Sequence, residues 1–249
     1  MDDETISGGS PEVEFVRRAI PVGQPRRPRS RAFGTWLLAL VCALAASQSG
    51  CSLFVMAGKM LFGDPKVDCS FKKATKTDLS KEGRRILVVC SSPDSIKDEF
   101  PSVDYDLLDG VTRRLKTHGI KVVNPDEVAT YLDDHGGRWE DVGDMGEHFN
   151  ADFVVHIDLT RFTCREENSP SLLRGQAEGR VHAYRIADSP AGQQTSEVMD
   201  QEFVSTHPSG YPVSIDKKSA KVFNREYIDR VCTQLAQLFY DHPLSEEID

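Results

Sequence analysis

Ala151-Asp152-Phe153-Val154-Val155-His156-Ile157-Asp158-Leu159-Thr160-Arg161-Phe162 is the stretch on which the fold turns. Phe153, Val155, Ile157 and Leu159 alternate with Val154, His156, Asp158 and Thr160. A period of two marks a β-strand with one apolar and one polar-leaning face. Its neighbours set the class. Upstream, Ile86-Leu87-Val88-Val89-Cys90 is a short continuous apolar run, the pattern of a strand covered on both faces. Residues 104–118 place Leu107, Leu108, Val111 and Leu115 on one helical face, and Gly119 is suited to end that helix. Ile120-Lys121-Val122-Val123 reads as a second strand. Asn124-Pro125 then starts a short helix, with Asn as the cap and Pro at the first position. Val128 and Leu132 point inward from it, and His135-Gly136-Gly137 ends it. Residues 142–149 form a further short helix.

Downstream of the deciding strand, 175–186 and 197–206 read as strands. Loops holding Ser169-Pro170 and Ser189-Pro190-Ala191-Gly192 separate them, so they are expected as antiparallel neighbours. In 219–241, Phe223, Tyr227, Val231, Leu235 and Leu238 make the buried stripe of the longest helix. The predicted order is β-α-β-α-(α)-β-β-β-α. It describes an α/β domain, bordering on α+β, with a single mixed sheet of about five strands and helices packed on it. A helix between two strands favours a parallel pair with a right-handed crossover. About 160 residues, 84–241, are enough to bury a core.

The rest of the 249-residue chain differs in kind. Residues 1–34 read as a disordered basic leader, rich in Gly and Pro, with Arg26, Arg27, Arg29 and Arg31 crowded together. Trp36-Leu37-Leu38-Ala39-Leu40-Val41-Cys42-Ala43-Leu44-Ala45-Ala46 comes next, too short to cross a bilayer core of ~30 Å. A basic block, a short apolar run and then small residues is the order of a secretory signal. We assign 35–51 to a signal or membrane anchor, 52–83 to an apolar membrane-proximal stretch and polar tether, and 242–249 to an acidic tail. The overall charge is −9, but residues 1–50 carry six arginines against five acids, so the portion from 51 onward carries −10. This acidic balance argues against general nucleic-acid binding, which needs a basic face to meet phosphates.

Ser49-Gly50-Cys51 resembles the end of a bacterial lipoprotein signal, in which the cysteine receives diacylglycerol and becomes the first residue after cleavage. Gln48 departs from that pattern, where an aliphatic residue is usual. The resemblance implies lipidation at Cys51. An uncleaved anchor over 35–57 is the other reading, interrupted by Ser47, Gln48, Ser49 and Ser52. Either one places the domain outside the cytoplasm, because the arginines stay inside. Residues 86–90, 107–115, 151–155 and 175–184 together also resemble the periplasmic domains of some envelope lipoproteins. These are the amino-terminal domain of the Tol–Pal translocation protein, the curli secretion lipoprotein, and activators of penicillin-binding proteins. That resemblance implies a binding or assembly role, with envelope protein partners, rather than catalysis. The expected location is the cell membrane or outer membrane, with the domain facing the periplasm.

No motif for chemistry stands out. Cys90 ends a central strand, but Ser91-Ser92-Pro93-Asp94 supplies neither a base nor a phosphate-cradling glycine loop. No catalytic residue and no cofactor are therefore expected. Cys69, Cys90, Cys164 and Cys232 lie in the exported portion, where disulfides are permitted. A Cys90–Cys164 bridge is expected if the first and third strands are parallel neighbours. His156 and Asp158 are expected to share a strand face, with His182 expected on a neighbouring strand and His148 preceding them. That set is the alternative reading, an exported enzyme or metal-binding protein, although it lacks compact HxxxH spacing. A solvated sheet face is the plainer expectation, so no metal is assigned. Trp139 and Tyr211, beside glycine or proline, are the expected points of partner contact.

Overall fold

The carboxyl-terminal part of the chain folds around a mixed sheet. We describe it from a computed structural model over residues 66–243, apart from 138, 140, 190 and 191. All of them belong to one compact unit, Phe62–Asp249. Cys51 with its expected lipidation, the leader, the signal or anchor segment and residues 244–249 of the acidic tail lie outside the described residues.

In chain order the elements are β1 (Lys66–Val67), α1 (Ser70–Thr75), α2 (Leu79–Glu82), β2 (Arg85–Ser91), α3 (Asp94–Lys97), α4 (Val103–Thr117), β3 (Lys121–Val122), α5 (Pro125–Asp134), α6 (Val142–His148), β4 (Phe153–Glu166), β5 (Ser169–Ser189), β6 (Gly192–His207), β7 (Val213–Ser214), α7 (Ala220–Gln237) and β8 (His242–Pro243). The main sheet has the order β3-β2-β4-β5-β6, with β7 added on β5. β2 runs parallel to β3 and β4. β4, β5 and β6 form antiparallel neighbours, and β7 is antiparallel to β5. The fold is thus α/β as expected, with six strands in the main sheet rather than about five.

Local chemistry accounts for the element ends. Asn124 caps α5 by accepting from the Asp126 amide at 3.3 Å, and Pro125 is the first helical residue. Asp141 caps α6 through the Gly143 amide, and Ser219 caps α7 through the Val222 amide. In β2, Ile86 to Cys90 are all buried, because the strand is covered on both faces. Ile86, Val88 and Cys90 align with Phe153, Val155 and Ile157 of β4. This face packs under α4 and α7, where Leu107, Val111, Leu115, Phe223, Tyr227, Val231 and Leu235 close the core. α7 lies so near β5 that a side chain at Gly175 would overlap the Tyr227 ring. Only glycine permits that approach. The Tyr227 hydroxyl, buried with it, donates to the Ser205 carbonyl at 2.9 Å.

Two expectations are corrected. First, 66–83 is not a tether, and regular structure does not begin at Arg84. β1 pairs antiparallel with β8, and the Phe71 amide donates to the Leu238 carbonyl at 2.9 Å. Phe71 is fully buried, with its ring edge-on to Phe153 and tilted against Phe239. Leu79 is buried as well. The apolar faces of α1 and α2 thus close one end of the core, and the paired unit runs from 66 to 243. His242 and Pro243 accordingly belong to it and not to a tail.

Second, no bridge joins Cys90 and Cys164. All four cysteines of the described residues are free and buried. Cys90 pairs in register with Ile157, and Cys164 lies seven residues farther along β4. At ~3.3 Å per residue that is roughly 23 Å, far beyond disulfide reach. The apolar alternation suggests an end to β4 near Phe162, but the strand runs on to Glu166.

Candidate functional site

The sheet face away from α4 and α7 carries the polar residues. In-register pairing lays them out in rows across the strands. One row is Val89, His156, His182 and Asp200; the next is Ser91, Asp158, Arg180 and Glu202. On the other side of the first row, Leu87, Val154, Tyr184 and Glu197 align. The structure therefore brings together His156, Asp158 and His182, in keeping with the alternation in β4 and β5.

Ser91 Oγ and His156 Nε2 are 2.8 Å apart, and Ser91 Oγ donates to Asp158 Oδ1 at 3.3 Å. A serine hydroxyl has one proton. Both contacts are satisfied when His156 Nε2–H donates to Ser91 and Ser91 donates to Asp158. That tautomer leaves no imidazole lone pair facing the serine. A nucleophile relay needs the reverse: imidazole accepting from serine, and carboxylate holding the other ring nitrogen. The trio is thus arranged to pin β2 to β4. Burial holds the His156 imidazole below the usual histidine range, Asp158 opposes this, and His182 adds to it. The Trp139 ring stands edge-on to His156, with centroids 5.0 Å apart and planes at 85°. Trp139 is half-buried in this contact.

His182 is the centre of a second group. Its Nδ1 lies 2.7 Å from Glu197 Oε1 and 3.8 Å from Asp200 Oδ1. Asp200 also receives a two-pronged contact from Arg180, through Nε at 3.0 Å and Nη2 at 2.8 Å. The guanidinium's hydrogen bonds hold the Asp200 carboxyl below the usual range. Arg180 Nη1 reaches Glu202 at 3.0 Å. Side-chain exposure is 20% for His182, 44% for Glu197 and 41% for Asp200, so the group is open to solvent.

The remaining expected residues lie elsewhere. His148 sits at the end of α6, its ring tilted on Tyr131, in a groove beside Arg85 at the opposite end of β2 from Ser91. It takes no part in the His156 group. Cys90 faces α4, with its thiol 3.9 Å from Asp104 Oδ1, and burial pushes that thiol well above its ordinary value. A thiol so protonated is not a nucleophile. Tyr211 is 93% exposed, beside Gly210, whose carbonyl accepts from Arg174 at 2.7 Å.

Glu197 and Asp200 are not legible as site residues in the sequence. They are three apart in β6, so simple alternation puts them on opposite faces. A register shift changes this: Ala183 pairs with Met199 but Tyr184 pairs with Glu197, leaving Val198 as the extra residue of a bulge. The one available signal is the density of acids in β6.

No family model matches the chain, and no curated protein matches it in sequence. Several solved structures are similar to part of this chain. Protein XCC0632 from Xanthomonas campestris, of family DUF330, is 15% identical with a TM-score of 0.38, over 62% of this chain and 82% of that one. The PelC dodecamer from Paraburkholderia phytofirmans gives 10% identity and a TM-score of 0.37, over 71% and 96%. Lipoprotein GNA1162 from Neisseria meningitidis gives 15% and 0.36, over 61% and 98%. All three describe a partial likeness of fold and say nothing of activity.

Proposed function

We propose that this chain is a non-enzymatic cell-envelope adaptor or assembly factor, held at a membrane by lipid on Cys51 and exposing its acidic domain to the periplasm. The observation that carries this reading is the order of the arginine block, the short apolar run and Ser49-Gly50-Cys51 ahead of a folded domain. Among the described residues no helix is long and apolar enough to cross a membrane, so the membrane contact is assigned to the amino-terminal segment. The state of the polar sheet face supports an adaptor over an enzyme. Ser91, His156 and Asp158 satisfy one another, and Arg180, Asp200 and Glu202 do the same on an open face. Partner contact is assigned to exposed aromatic surface, with Tyr211 first. The element order, which resembles the periplasmic domains of Tol–Pal, curli-secretion and penicillin-binding-protein activator components, fits the same role.

The test is to express the full chain and Cys51→Ala, separate the membranes and identify co-purifying proteins. The variant is expected to lose processing and membrane retention, while the wild type brings down specific envelope partners that Tyr211→Ala releases. Retention and processing of Cys51→Ala equal to wild type would refute the lipid anchor.

A further inference from the structure

We propose that His182, Glu197 and Asp200 form a binding site for a divalent ion of the zinc type. The inference goes beyond the adaptor reading and does not depend on it.

The donor atoms come first. One imidazole nitrogen and two carboxylate oxygens all lie within 4.8 Å of one another. Three ligands around one small ion must converge to about this extent, since each stands ~2 Å from the metal. A mixed set of imidazole and carboxylate suits zinc and its first-row neighbours; all-oxygen sets suit magnesium and calcium. The two carboxylates match the double positive charge. The fourth position is left to water or to a donor from another molecule, and the exposure of the group gives the ion a path from solvent.

The backbone supplies the second argument. His182 and Asp200 are direct partners across β5 and β6. Glu197 joins them only because the bulge at Val198 turns it onto their face. A regular strand would have pointed Glu197 into the face under α4 and α7. Bulges re-aim side chains at functional positions, and one here converts a pair into a triad. The ligands also stand on paired strands rather than on a loop, which holds their spacing.

Arg180 decides how such a site would behave. Its guanidinium occupies Asp200 and repels an incoming cation. It also has other partners within reach, since Nη1 already holds Glu202, and Asp158 lies directly across on β4. An arriving ion displaces Arg180 from Asp200 and leaves it on those carboxylates. Arg180 is therefore a competitor of the metal, and its removal has a sign opposite to the loss of a ligand.

The experiment uses the full chain in detergent, treated with a chelator, then titrated calorimetrically with Zn²⁺ and spectroscopically with Co²⁺. We expect one ion per chain and a Co²⁺ spectrum of low coordination number. His182→Ala, Glu197→Gln and Asp200→Asn should each weaken binding by about tenfold or more. Arg180→Gln should tighten it several-fold. Circular dichroism and melting of the metal-free variants check that each is folded; Arg180→Gln and Glu197→Gln keep the test alive if His182→Ala is not. Absence of stoichiometric binding by the wild type would overturn the proposal. So would uptake that survives His182→Ala, or Arg180→Gln binding no more tightly than wild type.

Discussion

Four buried thiols show how far a residue's setting can depart from its sequence context. Cys69, Cys90, Cys164 and Cys232 fall in the portion expected to be exported, where bridges are permitted, yet all four are free and buried. Burial pushes Cys164 and Cys232 up to about 12, and it raises Cys69 and Cys90 as well. Thiolate is the reactive form, so all four should resist alkylation in the native protein at mildly alkaline pH. All four should react once guanidinium unfolds the chain without reductant. Mass spectrometry of the labelled peptides reads this directly, and a linked Cys90–Cys164 peptide would contradict the register described for β2 and β4. Burial of Cys90 could be expected from the apolar run it ends, whereas Cys69 lies in the stretch read as a polar tether. The distance between Cys90 and Cys164 could not be expected, because it depends on the register of β2 against β4.

The elements are legible wherever their period is sustained. α4 and α7 stand where the 3.6-residue stripe puts them, β4 begins where its alternation does but runs past it to Glu166, and α5 begins at its Asn-Pro signal. α1 and α2 leave no such mark, for a physical reason. Each is six residues or fewer and buries a single large apolar side chain, Phe71 or Leu79, so neither shows a period. Their importance lies in the contacts. Phe71 is fully buried against Phe153 and Phe239, so Phe71→Ala should cost about 3–5 kcal/mol through lost burial and a residual cavity. The fall in urea midpoint measures it. A loss near zero would return 66–83 to the role of a tether. The bulge in β6 is hidden in the same way, since one extra residue breaks alternation without announcing which face is which.

Across the whole domain, the polar groups set a pH dependence with two stages. His156 and His207 are held below their ordinary range, chiefly by burial. The unfolded chain takes up those protons first, so stability is full above about pH 6.5 and declines as pH falls below it. Asp78, Asp200 and Asp241 are held below the usual carboxylate range. Hydrogen bonds from Lys81 and Arg180 do this for the first two. At Asp241 burial works the other way and is outweighed by Lys72 and the Cys69 amide. Their contribution is present above about pH 4 and is lost as pH falls through their folded values. Melting temperature against pH should therefore show a first decline below neutrality and a second in acid. His156→Gln should flatten the first and Asp241→Asn the second. A profile level down to pH 5 would contradict the assignment for His156.

By itself the sequence determined only what short-range patterns can carry. These are the arginine block and short apolar run near the amino terminus, the acidic character of the chain beyond them, the α/β class and the order of its principal elements. Each depends on neighbours within one turn of helix or one length of strand. The tertiary structure alone decided which polar side chains meet. Ser91 reaches Asp158 across 67 positions, and His182 reaches Glu197 across 15. Those encounters depend on strand register, and one inserted residue at Val198 reverses the face of everything before it. Register is a property of paired strands, so it appears only when the chain has folded.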